Sequence, residues 1–157
     1  MPVKEIHSGG QTGGDQGGLS AAYRLGLKTA GVAPKGYRTE KGAAEWLSRL
    51  GVTESWSGNY PPRTKDNVAN TQGTVIFGNI SSPGCRLTRK LCEELNRPVF
   101  FVAWEKGEDP PSNLIESFLN WIDKNQIEIL NVAGNRESSM PGIFKFTSNF
   151  LVKALSS

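Results

Sequence analysis

The stretch HSGGQTGGDQGG, from His7 to Gly18, sets six glycines among amide, hydroxyl and carboxylate side chains. Glycine removes Cβ, lets the chain turn through positive φ, and lets backbone N–H groups approach an oxyanion. The chemistry such a loop offers is anion binding, strengthened where a helix start adds unpaired N–H groups and partial positive charge. Gly9, Gly10, Gly13 and Gly14 are the candidate cradle, with the Thr12 hydroxyl as a further donor. Neither familiar phosphate fingerprint is present: no spacing gives G-x-G-x-x-G, and no lysine follows as in a P-loop. Gln11 and Gln16 could hydrogen-bond a heterocycle. Asp15 lies three residues after Thr12, which leaves two readings open, a helix capping box or a ligand contact. A carboxylate in an anion cradle repels phosphate, so a ligand-facing Asp15 should meet N–H donors.

Other loops carry further candidates. NISSPGCRLT, from Asn79 to Thr88, brings Asn79, Ser81, Gly84 and Thr88 to a second helix start, with Arg86 and Arg89 close behind. AGNRESSMPG, from Ala133 to Gly142, brings Arg136. Lys35 in APKGYRTE and Arg63 in PPRTKDN add cations in Gly/Pro-rich loops, with Asn67 just beyond. His7, the sole histidine, has no acid or nucleophile paired with it in sequence, which favours a packed, hydrogen-bonded role. Cys85 and Cys92 are seven apart, two turns of a helix, with no CxxC; this argues against zinc and for two reduced core-side thiols. Trp56 is the one tryptophan expected near a ligand.

The elements that must position these residues alternate along the chain. Strands are expected at Val3–Ser8, Lys28–Ala33, Thr74–Gly78, Val99–Trp104 and Ile127–Val132. Helices are expected at Asp15–Leu25, with Leu19, Ala22 and Tyr23 inward, and at Ala43–Leu50, Thr64–Thr71, Cys85–Asn96, Pro111–Lys124 and Ile143–Leu155. VFFVAW, the most apolar segment, reads as a central strand buried on both faces. The alternation predicts an α/β fold: one domain over 1–157, a mostly parallel sheet flanked by helices on both faces. Ligands in such sheets sit beyond the carboxyl ends of the strands, near a reversal of strand order. A chain of 157 residues is long enough for one sizeable core. No apolar run approaches a membrane span and no signal peptide is evident, so the expected location is cytoplasmic. A net charge of +3 is too mild for a mainly nucleic-acid role and suits a small anionic ligand.

Four motifs in order, HSGGQTGGDQGGLSAA, GVAPKGYRTEKG, YPPRTKDNV and LNVAGNRES, resemble the molybdenum-cofactor carrier family. That family is part of the SLOG superfamily of Rossmann-like proteins, which includes lysine-decarboxylase-like phosphoribohydrolases. The resemblance runs from about Ile6 to Gly142. It implies a Rossmann-like fold, self-association as a dimer or tetramer, and binding of the molybdenum cofactor, a pterin bearing a phosphate and a dithiolene that holds oxo-molybdenum. The implied task is to carry or store that cofactor, with molybdoenzymes or cofactor-synthesis proteins as partners. The chain departs from the family pattern at Ala30, often glycine, at Thr71-Gln72, often Ser-Asp, and at Asn135, often proline. A rival reading is a nucleotide phosphoribohydrolase using Asp15, Glu40, Asp66 or Glu137; a third is a nucleotide-sensing module. The local contexts of the acids favour ordinary ionised carboxylates.

Overall fold

A computed structural model describes residues 3–156. The strands are β1 (Glu5–His7), β2 (Lys28–Ala33), β3 (Arg38–Thr39), β4 (Gly42–Ala43), β5 (Val52–Glu54), β6 (Gly73–Gly78), β7 (Val99–Ala103) and β8 (Ile129–Gly134). The α-helices are α1 (Gly14–Leu25), α2 (Tyr60–Ala69), α3 (Pro83–Glu94), α4 (Leu114–Lys124) and α5 (Ile143–Leu155). Six strands form one all-parallel sheet in the order β5-β2-β1-β8-β6-β7, and β3 and β4 make a small antiparallel hairpin. Helices α1, α4 and α5 pack on one face and α2 and α3 on the other. This is the α/β, Rossmann-like architecture expected from the alternating pattern.

The last strand of the chain, β8, sits at the middle of the sheet. Numbered cyclically from β8, the strands read 4-3-2-1-5-6, a doubly wound order whose reversal falls between β8 and β6. The loops leaving β8 and β6 therefore diverge at the carboxyl edge and leave a crevice.

Local chemistry sets the element ends. Helix α1 stops at Gly26, which is left-handed at φ 71° and returns its N–H to the last turn, while the Leu27 N–H reaches the Ala22 carbonyl. Helices α2 and α3 begin with prolines, which lack the N–H that would go unpaired there. The core face of α1 is built on glycine and alanine: a Cβ at Gly18 would lie 2.6 Å from the Val132 Cβ, and one at Gly17 would lie 2.8 Å from that of Thr147. That close approach seats α1 against α5 and β8. Around it, Phe77, Phe118, Phe146 and Phe150 form an aromatic core.

Several expectations are corrected. Tyr23 points to solvent, because Ala21, Ala22 and the small residues Gly17 and Gly18 make the packing face. The segment from Glu45 to Leu50 is a 3-10 helix rather than an α-helix, and both β5 and the β3–β4 hairpin escaped notice as strands of only two or three residues. VFFVAW forms an edge strand; the central position belongs to β8, flanked by β1 and β6. Its apolar run reflects cover on both faces: Phe100 packs on Phe118 and Trp121, and Arg89 lies over Phe101. Face burial does not report lateral position in a sheet.

Candidate functional site

The crevice at the strand reversal holds a cavity of about 290 Å³. Gln11 and Asp15 come from the glycine loop and α1, and Tyr60, Arg63 and Thr64 from α2. Ser82 to Cys85, Leu87 and Thr88 line it from the start of α3, and Ala133 to Arg136 from the end of β8.

Charge and ring chemistry meet at Tyr60. The guanidinium carbons of Arg38, Arg63 and Arg136 lie 5.7, 5.3 and 5.3 Å from its ring centroid. Each is within cation–π range, and the ring partly offsets the mutual repulsion of three like charges. They arrive from three separate segments: the β3–β4 hairpin, α2 and the loop after β8. Within this cluster Arg63 pairs with Asp15, Nη1 to Oδ2 at 3.4 Å, with 13% and 4% of the two side chains exposed. The buried Nε of Arg63 has no hydrogen-bond partner among the described residues. A donor withdrawn from water and left unpaired is costly, and an oxyanion from a ligand would satisfy it.

Asp15 does meet N–H donors. Its Oδ2 accepts from the Gln11 backbone at 3.2 Å. Burial nevertheless raises its pKa, against the opposing pull of Arg63 and of the Gln11 and Gly134 N–H groups. Its carboxyl is thus harder to ionise than an exposed one, because the folded chain excludes water around it. The capping box is absent as well: Gly13 is the N-cap of α1, without a side-chain cap, and the Thr12 hydroxyl turns away to Glu40.

The other acids have structural employment. Glu40 accepts from the Thr12 and Ser138 hydroxyls and from the Ser138 N–H at 3.2 Å, joining the hairpin to two loops. Burial acts to raise its pKa, but the Ser138 and Thr12 hydrogen bonds and the nearby Arg136 outweigh it and hold Glu40 below the usual carboxylate range. Glu137 accepts from the N–H groups of Gly142 at 2.7 Å and Phe144 at 2.9 Å, capping α5. Asp66 lies outside the cavity.

The glycine loop itself is largely satisfied from within. The N–H of Gly10 donates to the Ser8 hydroxyl, that of Thr12 to the Gln11 side chain, and that of Gly14 to the Asn135 carbonyl. Gly13 has φ +82°, and a Cβ there would lie 2.1 Å from the Asn135 carbonyl oxygen. A Cβ at Gly14 would lie 2.7 Å from the Gly134 Cα. Gly9 leaves the space that the Arg63 guanidinium fills. These glycines admit protein atoms, which corrects the expected open cradle of N–H groups. The side chain of Gln11 orients the loop: its Oε1 accepts from the Thr12 and Glu40 N–H groups, and its Nε2 donates to the Tyr60 hydroxyl at 3.1 Å. Gln16 donates to the Gly10 carbonyl.

The sequence candidates fall into three groups. Gln11, Asp15, Arg63, Gly84, Thr88 and Arg136 line the cavity. Thr12, Gly13 and Gln16 line a neighbouring open cavity bordered by Trp46 and Phe144, while Gly9, Gly10 and Gly14 pack behind the loop. Four lie outside. Lys35 is exposed on its turn, and Ser81 is exposed with its N–H on Asn79. Asn79 donates its own N–H to Asn135, and Asn67 fastens α2 to Val32 through both ends of its amide. Trp56 is exposed and borders neither cavity. Cys85 lines the cavity with its thiol pushed up by burial, and Cys92 is buried in the core; both are free.

Three contributors were not singled out by sequence. Arg38 and Tyr60 sit in the recognised motifs GYRTEKG and YPPRTKDNV, but only three-dimensional closure brings them together. Asn135 is a departure from the expected proline. Its Oδ1 accepts from Asn79 at 2.6 Å, its Nδ2 donates to Ser82 at 3.0 Å, and its N–H donates to the Phe77 carbonyl at 3.3 Å. Proline has neither the amide side chain nor the N–H for these bonds.

No curated protein matches this chain. Among solved structures, it is similar to a protein from Syntrophus aciditrophicus described as a putative molybdenum carrier protein, with 27% identity, a TM-score of 0.87, and coverage of 99% of this chain and 96% of that one. The model of the circularly permutated YpsA SLOG family matches residues 6–155. The displaced central strand and a match over nearly the whole length agree: the chain belongs to the circularly permutated YpsA SLOG family.

Proposed function

We propose that this chain binds, protects and delivers or stores the molybdenum cofactor, a pterin carrying a phosphate and oxo-molybdenum. The observation that carries the reading is the convergence of Arg38, Arg63 and Arg136 on Tyr60 beside the crevice. Guanidinium groups bind phosphate and oxo groups through paired hydrogen bonds, and a tyrosine ring supplies a flat surface for a heterocycle. The cavity is at the small end of the usual ~300–1,000 Å³ for ligand pockets, so it suits one anionic group and part of a ring. The description of the Syntrophus protein as a molybdenum carrier supports a molybdenum-containing cargo. Self-association and handover to a molybdoenzyme or a cofactor-synthesis protein belong to this reading. Tyr23, Trp46 and Phe144, 78%, 45% and 39% exposed, offer apolar surface for such contacts.

The test is to purify the protein from a cofactor-producing host and identify bound pterin by mass spectrometry and molybdenum by elemental analysis. Cofactor half-life is then measured with and without protein. Co-purification that is lost in Arg63→Ala, with a lengthened half-life, is the expected result.

One observation favours the phosphoribohydrolase reading: Asp15, an acid with a raised pKa, lies in the same cavity as the arginines. A general acid needs such a pKa. Steady release of free base from nucleoside monophosphates, abolished in Asp15→Asn and without cofactor protection, would replace the carrier by the enzyme.

A further inference from the structure

A separate cavity of about 590 Å³ opens between α5, the start of α4 and the loop after β7. It shares no lining residue with the arginine cavity. Its floor is apolar, built from Trp104, Ile115, Phe146 and Phe150. Trp104 and Phe146 stack with centroids 4.7 Å apart and planes 14° apart. The indole N–H of Trp104 donates to the Glu108 carbonyl at 3.0 Å, so its one polar atom is satisfied by the protein. A side chain at Gly142 would press on the Trp104 ring at 3.2 Å, which keeps that wall bare.

The rim is cationic. Lys106 comes from the loop, and Lys145 and Lys153 from α5. Lys145, Asn149 and Lys153 recur every four residues and so follow one stripe of the helix. All three lysines are exposed, and none has an ion-pair partner among the described residues. No acidic residue lines the cavity. Glu105, Glu108 and Asp109 share the loop with Lys106 and Glu116 follows Ile115, but none of them lines the cavity; Glu108 holds the Glu105 N–H, and Glu137 caps α5, so the start of α5 is already satisfied. The field at this cavity comes from side-chain charge.

An apolar floor bordered by three lysines suits one kind of molecule, a hydrophobic body with an anionic head. We propose that this cavity binds an amphipathic organic anion. Its aryl or acyl body lies on the Trp104, Phe146 and Phe150 floor, and its carboxylate or sulfonate meets the lysines. None of these residues serves the proposed cofactor site, so either proposal can fail alone.

The probe is 8-anilinonaphthalene-1-sulfonate, whose fluorescence rises in an apolar site, titrated against the full chain. One saturable site is expected, emptied by decanoate but not by inorganic phosphate. Lys106→Glu combined with Lys153→Glu changes only exposed side chains and should weaken the dye roughly tenfold, an effect that salt diminishes. Lys41→Glu, beside the Trp46 and Phe144 cavity, should leave dye affinity unchanged. Equal affinity in the double variant, or loss in Lys41→Glu instead, overturns the assignment. So does a concentration-dependent dimer that the dye dissociates and Ile115→Gln abolishes, since the face would then be covered by a second copy.

Discussion

In the proposed site a bound anion would compete with Asp15 for one guanidinium, and Asp15→Asn isolates that competition. The carboxylate Oδ2 lies 3.4 Å from Arg63 Nη1, with both groups largely withdrawn from water. At an effective dielectric constant near 20, unit charges at that distance attract by about 5 kcal/mol before solvation is considered. Desolvation of the carboxylate opposes much of this, as the raised pKa indicates. If a third of the attraction is released when the charge is removed, anion affinity rises by about 1.6 kcal/mol, somewhat more than tenfold. Asparagine keeps an oxygen for the Gln11 N–H, so the loop is preserved. The sign with pH follows. A raised carboxylate pKa favours the neutral form in the fold, so this group's contribution to stability is full below the ordinary 3.8 and is lost as pH rises through the higher folded value. Anion binding should strengthen over the same fall in pH, because protonated Asp15 leaves Arg63 to the ligand. Calorimetry with sulfate is the assay, since sulfate keeps its double charge across the range. The wild type should bind more tightly in acid, and Asp15→Asn should bind tightly with little pH dependence. Sulfate affinities that coincide in the two proteins across the whole pH range refute the competition, and unchanged binding in Arg63→Ala removes the arginine site itself.

Other consequences concern the loops that frame the crevice. Gly13→Val should prevent folding rather than selectively weaken binding, at a cost of about 3 kcal/mol or more, because positive φ and a backbone clash coincide there; circular dichroism reads the outcome, and a folded variant would contradict it. Asn135→Ala should lower stability to urea by about 1–2 kcal/mol by removing its bonds to Asn79 and Ser82. Glu40 has a lowered pKa, so its contribution to stability is present above the ordinary 4.5 and lost as pH falls through the lower folded value. Glu40→Gln should therefore flatten acid unfolding in that window, and superimposable profiles would show that its hydrogen bonds are not coupled to folding.

Legibility from sequence varied with the physics involved. The long parallel strands and α-helices show period and punctuation, so α1, α3, α5, β2 and β6 are legible to within two residues, and α4 begins three residues later than expected. β5 and the β3–β4 hairpin were not, because two or three residues are too few to establish a period. The placement of β8 at the centre was beyond local reading: IEILNV has the pattern of a buried strand wherever it lies in the sheet. The glycine loop was recognised as unusual, but its glycines face protein atoms. Composition alone does not separate a backbone opened to ligand from one opened to a neighbouring loop. Arg63 and Arg136 stand out in the sequence because they lie in loop-like segments expected at strand ends. Arg38, Tyr60 and Asn135 take their importance from distances that form only on folding.

The displaced strand gives a physical reason for the proposed site to rely on side-chain cations. In a doubly wound sheet, the loop leaving the first strand and the helix start after it face the ligand. Here that strand is β8, so the segment around Asn135–Gly142 takes the position, and the glycine loop after β1 becomes its support. At both helix starts, donors are diverted to protein partners. Gly14 gives its N–H to Asn135 at α1, and Gly142 and Phe144 give theirs to Glu137 at α5. Helix-end attraction for an anion is correspondingly reduced, and attraction must come from Arg38, Arg63 and Arg136. Guanidinium recognition is directional and suits oxyanions with two adjacent oxygens, as in phosphate and oxo-metal groups. Arg38 and Arg136 are exposed, so the outer part of this attraction is screened by salt, while Arg63 is sheltered. Rising ionic strength should therefore erode capture of the cargo through the two outer arginines before it reaches the buried contact that holds it.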